Sequence, residues 1–86
     1  MIVGVNRVFK HDGRDYHIQA EDLGLDLRCF EVRVYDKGTV LWRKRIGYGE
    51  IVEKNLPRLE QDENVRSFME KTLHTVQAAI AKGKLT

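Results

Sequence analysis

The sequence predicts an α+β domain: a four-stranded antiparallel β-meander, made of two hairpins, with one C-terminal α-helix packed on one face. Three observations predict it. Two β-rich runs flank the turn Asp36-Lys37-Gly38. A Val-rich run and an alternating run flank Asp12-Gly13. Finally, Val65, Phe68, Met69, Leu73, Val76, Ala79 and Ile80 recur at 3- and 4-residue spacing, which is one stripe of a helix.

Residues 2–21 read as the first hairpin. Asp12-Gly13 suits a two-residue type I′ turn, in which both central residues take positive φ. That turn pairs Phe9 with Tyr16, Arg7 with Ile18, Val5 with Ala20 and Val3 with Asp22. Val3, Val5, Phe9, Tyr16, Ile18 and Ala20 then share a face, and His17, Gln19 and Glu21 take the other. A three-residue loop starting at His11 would instead gather Ile2, Val8, Tyr16 and Ile18 with Gly4 and Asn6, which is less apolar bulk. Between the hairpins, Leu23, Leu25 and Leu27 are expected to tuck partly against the sheet.

Residues 29–46 read as the second hairpin. A three-residue loop with Gly38 in the left-handed position pairs Tyr35 with Thr39, Val34 with Val40, Val32 with Trp42 and Phe30 with Lys44. Arg33 then faces Leu41, Glu31 faces Arg43 and Cys29 faces Arg45. A two-residue loop, Lys37-Gly38, would put Arg43 and Arg45 on the Phe30-Val32-Val34 face, because a one-residue slip reverses every side chain. The hydrophobic pattern therefore selects the longer loop. Gly47-Tyr48-Gly49 ends the fourth strand. Pro57 argues against one helix from Glu50 onward, so residues 51–61 read as a loop with a short turn of helix. The main helix is expected at about 62–82, with Asp62 as N-cap, Glu63 in the first turn, an Arg66–Glu70 pair outside and Gly83 at the end. Phe68, Met69, Leu73 and Val76 should pack on the Phe30, Val32, Val34, Val40 and Trp42 face.

Eighty-six residues argue for one domain. One cysteine allows no internal disulfide, which fits a reducing compartment. No apolar run approaches the ~20 residues of a membrane span. Met1-Ile2-Val3-Gly4-Val5 lacks the basic start and long apolar stretch of a signal peptide, so a cytoplasmic location is expected. Net charge is +2 overall. Residues 28–46 carry Arg28, Arg33, Lys37, Arg43, Lys44 and Arg45 against Glu31 and Asp36, a net +4. Residues 50–63 carry Glu50, Glu53, Glu60, Asp62 and Glu63 against Lys54 and Arg58, a net −3.

The stretch Tyr16-His17-Ile18-Gln19-Ala20-Glu21-Asp22-Leu23-Gly24 resembles the YH-[IV]-Q-T-E-D segment of a group of short uncharacterised bacterial proteins. In that group a Gly-turn hairpin, a basic fourth strand and a terminal helix resembling Val65 through Lys84 follow. Ala20 stands where the group usually has Thr. The resemblance implies a bacterial cytosolic setting and a shared fold, and it carries no activity to transfer.

No constellation points to catalysis. His11, His17 and His74 are dispersed, no His/Cys/Asp spacing suits zinc, and no cofactor motif occurs. Cys29 would face Arg45, which could lower a thiol pKa, but no general base accompanies it. Gly47-Tyr48-Gly49 lacks the Gly-Lys-Ser/Thr ending of a phosphate loop. The expectation is a non-enzyme without metal or cofactor: a small protein-interaction or regulatory module that binds a protein partner or itself. Its surface would be the face away from the helix, with Arg33, Tyr35, Leu41, Arg43 and Arg45, because Arg and Tyr are enriched at interfaces. Edge strands offer a second route to partners. The alternative is nucleic-acid binding through the basic second hairpin, weakened by the expectation that Trp42 faces the helix rather than a base.

Overall fold

The computed structural model describes residues 4–85. Its elements are β1 (Gly4–His11), β2 (Arg14–Asp22), β3 (Cys29–Asp36), β4 (Thr39–Gly47), α1 (Gly49–Glu53) and α2 (Arg58–Ala81). The strands form one antiparallel sheet in the order β1-β2-β3-β4, and α2 covers one face. The α+β meander read from the sequence is the observed fold.

The first hairpin follows from its turn. Asp12 and Gly13 have φ of 50° and 76°, the left-handed pair of a type I′ turn. The register is the expected one, with Phe9 opposite Tyr16, Arg7 opposite Ile18 and Val5 opposite Ala20. Val3 lies outside the described residues.

The second hairpin corrects the expected register while keeping most of its faces. Lys37 and Gly38 take φ of 52° and 81°, so the turn has two central residues, not three. Asp36 faces Thr39 and Tyr35 faces Val40, after which the register shifts and Val34 faces Trp42. Leu41 is thus an extra residue, a β-bulge. It restores the alternation that a two-residue turn would otherwise reverse. Val32 faces Lys44, Phe30 faces Ile46, and Arg43 and Arg45 return to the outer face. Val40 is the casualty: expected in the core, it sits opposite Tyr35 and is 46% exposed.

The core joins Val5, Ile18, Ala20, Phe30, Val32 and Val34 of the sheet to Val65, Met69, Leu73, Val76 and Ile80 of α2. Phe68 meets Phe30 edge-on at 5.3 Å between ring centres. The helix lies nearest β1 and β2, and Arg7 and His74 approach at 3.3 Å across that contact. Trp42 and Ile46, over on β4, are consequently only half-buried.

Helix α2 begins one turn earlier than expected. Pro57 is its N-cap residue, where a missing N–H costs nothing, and its carbonyl accepts from Gln61 N–H at 2.9 Å. Asp62 therefore lies inside the helix, accepting from Arg58 Nε at 3.3 Å, and this i, i+4 pair exists in place of the expected Arg66–Glu70 pair. The C-terminal end matches expectation. Gly83 has φ of 68°, Lys84 N–H donates to Ala79 O and Gly83 N–H to Ile80 O, a Schellman closure.

Candidate interaction surface

The face of the sheet away from α2 is built in rows across the strands. One row runs Gly4, Glu21, Glu31, Arg45; the next Asn6, Gln19, Arg33, Arg43; the third Val8, His17, Tyr35, Val40. The structure thus brings Arg33, Tyr35, Arg43 and Arg45 to one side, as expected, with Leu41 projecting from the bulge at 50% exposure.

The charges on this face are mostly engaged with each other. Arg33 donates through Nε to Glu31 at 2.7 Å and through an Nη to Glu21 at 2.9 Å. Arg45 reaches the second Glu31 oxygen at 3.5 Å. The Arg33 hydrogen bond is the largest cause holding the Glu31 carboxyl below the usual carboxylate range. Glu31, then Tyr35 and Glu21, raise the Arg33 pKa, so its charge is permanent. This clamp has a structural purpose. Arg33 lies directly opposite Arg43, and like charges so placed repel. Two carboxylates on the flanking row offset that repulsion. Among the described residues, Arg43 and Lys44 have no ion-pair partner, and Lys44 belongs to the helix side of β4.

Sequence reasoning placed Glu31 on this face, though opposite Arg43 rather than Arg45, and missed Val8 and Val40 as members of it. No residue type signals Val40, because Lys37 takes a positive φ of 52° that lysine rarely adopts. Cys29 is also displaced from its expected place. It faces Gly47 rather than Arg45 and is buried, so no arginine stands opposite the thiol.

A second feature lies at one end of the sheet. Tyr48 is 2% exposed, and its hydroxyl donates to Asp22 Oδ1 at 2.5 Å, with Gly24 O at 3.3 Å. Asp22 also accepts from Gly24 N–H at 3.0 Å, an Asx turn, and Tyr48 N–H donates to Arg28 O at 2.7 Å. Tyr48 thereby closes the β2–β3 loop. Leu25 and Leu27 of that loop, expected to tuck in, are 44% and 56% exposed. A cleft of about 210 Å³ lies between the loop and the start of α2, bordered by Asp22, Asp26, Tyr48, Arg58 and Gln61. It holds no nucleophile beside a base, since Asp22 is taken by Tyr48 and Arg58 by Asp62. Among the described residues, no three of His, Cys, Asp and Glu converge to hold a metal ion.

Burial, and secondarily the bond to Asp22, raises the Tyr48 phenol above its ordinary pKa. The folded state favours the protonated phenol. Its contribution is therefore complete below about pH 10, the free phenol value, and is lost as pH rises beyond it. In an ultraviolet titration Tyr48 should ionise above the ordinary phenol range. Tyr48→Phe should remove that late step and cost about 1–3 kcal/mol, because the hydrogen bond to a carboxylate is lost. Loss of an ordinary-range step, rather than a late one, in Tyr48→Phe would contradict this.

No protein-family model, curated protein or solved structure matches this chain. Among the described residues, no helix is long and apolar enough to cross a membrane.

Proposed function

We propose that this chain is a small protein-interaction module whose partner sits on the helix-free face of the sheet. The observation carrying this reading is the composition of that face. Val40 and Leu41 are 46% and 50% exposed beside Tyr35, while Arg33 and Arg45 are held by Glu21 and Glu31. An uncovered apolar row beside fixed arginines suits a protein surface that supplies aliphatic side chains and a carboxylate for Arg43. The rival, nucleic-acid binding, depends on cations free to replace counterions at phosphates. The carboxylate clamp removes Arg33 from that pool and weakens Arg45, which disfavours it. The reading is of a non-catalytic protein without metal or cofactor, in a reducing cytoplasmic setting where Cys29 stays a thiol.

The test uses a partner identified by crosslinking in the native host and purified. Binding should survive an increase from roughly 50 to 200 mM salt and be lost in Leu41→Asp. Micromolar binding to single-stranded DNA or RNA that survives Leu41→Asp, falls steeply over the same salt range and disappears in Arg43→Glu/Arg45→Glu would overturn it.

A further inference from the structure

The open sheet has two edges, and they are not equivalent. The β4 edge is broken by the Leu41 bulge and lined by Arg43-Lys44-Arg45. Bulges and clustered charges are devices that keep an edge strand from pairing. The β1 edge has no bulge, because its pairing with β2 runs from Gly4 to His11 without a shift, and its cations Arg7 and Lys10 are spaced apart rather than clustered.

The turn fixes which groups that edge displays. His11 and Arg14 flank a two-residue turn and form its hydrogen-bonded pair. Alternation along the ladder then turns the backbone groups of Phe9, Arg7 and Val5 toward β2. The N–H and C=O groups of Gly4, Asn6, Val8 and Lys10 point out of the sheet. No backbone hydrogen bond from a turn, loop or cap among the described residues reaches them.

We propose that β1 is a self-complementary edge, through which two copies of this chain join into one eight-stranded antiparallel sheet centred on Val8. The strand itself selects this register. A two-fold axis through the joint keeps both helix-covered faces on one side, so like faces must meet. Centring on Arg7 would set the two Arg7 side chains directly opposite, which is repulsive. Centring on Phe9 would set Arg7 against His11 and use only residues 7–11. Centring on Val8 uses residues 5–11 and pairs Val8 with Val8, Asn6 with Lys10, Arg7 with Phe9 and Val5 with His11, with no like charges opposed. The outward-pointing groups of Asn6, Val8 and Lys10 then all meet in hydrogen-bonded pairs. Val8, 52% exposed in the single chain, is covered, and Arg7 lies across the half-buried Phe9 ring of the other copy. Because α2 lies over β1 and β2, the same axis sets the two helices side by side above the joint. This edge is separate from the Tyr35–Leu41 patch and stands or falls independently of the partner proposed for it.

Analytical ultracentrifugation between roughly 10 μM and 1 mM should reveal a monomer–dimer equilibrium in the wild-type chain, a range that reads dissociation constants of ordinary weak interfaces. Val8→Lys, which opposes two ammonium groups across the axis, should raise the dissociation constant by about tenfold or more, with the circular dichroism spectrum unchanged. Val8→Cys should form a disulfide-linked dimer on mild oxidation, since hydrogen-bonded pairs hold Cα atoms about 5.5 Å apart. Asn6→Cys should do so only when mixed with Lys10→Cys. Leu41→Asp should leave the dimer intact. A wild-type chain that stays monomeric at 1 mM would overturn the proposal, as would a dimer indifferent to Val8→Lys, or crosslinking of Asn6→Cys to itself but not to Lys10→Cys.

Discussion

Phe30→Ala is expected to lower stability by about 3–5 kcal/mol, the range for removing a fully buried aromatic side chain. Phe30 has 0% exposure. It stands between Asp22 and Ile46 in the sheet register. Its ring meets Phe68 edge-on at 5.3 Å and stacks near Tyr48 at 6.5 Å. It therefore touches the sheet, α2 and the residue that closes the β2–β3 loop. A domain of this size has roughly 4–13 kcal/mol in total, so this one truncation threatens the fold. Urea denaturation measures it, with Leu59→Ala as the control. Leu59 is 78% exposed, and its truncation should stay within about 0.5 kcal/mol. A loss below about 1 kcal/mol at Phe30 would mean that the ring is not a core residue.

The second large effect concerns chain length in β4. Deleting Leu41 should leave the fold intact. Without it, Val40 still faces Tyr35 and Trp42 still faces Val34, now in an unbroken ladder. Inserting one alanine between Trp42 and Arg43 should have the opposite outcome. Arg43 and Arg45 would move opposite Val32 and Phe30, and Ile46 would leave the core side. Lys44 already tolerates the place opposite Val32, so the cost comes from Ile46 leaving and Arg45 taking its half-buried place, about 1–3 kcal/mol. Thermal unfolding followed by Trp42 fluorescence separates the two variants. If the deletion destabilises as much as the insertion, Leu41 is not the extra residue. The deletion should also abolish partner binding at the open face, since it removes an exposed apolar side chain without disturbing the core.

The two hairpins differ in how far their residues could be read. In the first, Asp12-Gly13 and the alternation of Val5, Phe9, Tyr16, Ile18 and Ala20 agree on one register, and that register is found. In the second, turn chemistry and hydrophobic pattern both suit a three-residue loop, with Gly38 left-handed and Phe30, Val32, Val34 and Trp42 on one face. The chain instead makes a two-residue turn with Lys37 at positive φ and recovers the same parity by spending Leu41 on a bulge. Nothing about a leucine marks such a position, so the faces of Arg43 and Arg45 were legible but their partners were not. Pro57 misleads in another way. A proline ends one helix and begins another with equal ease, and only the structure distinguishes the two. The Arg33 clamp was hidden because it depends on how β2 meets β3. The connecting residues, 23–28, form a loop too long to dictate that register, unlike a two-residue turn.

The position of α2 over the first hairpin also governs how the molecule reaches its native state. Every strand pairs with its chain neighbour, so the sheet is assembled from local closures, each of the kind completed in about 1–10 μs. The helix is different, because Arg7 and His74 meet across 67 residues. A sheet awaiting that return leaves Val5, Ile18 and Ala20 in water on one side, and a bare meander of this kind holds together poorly. The slow, entropically costly event is expected to be the arrival of α2 over the first hairpin. Neither hairpin is then expected to hold lasting order before the helix docks, and the chain is expected to unfold as one cooperative unit rather than strand by strand.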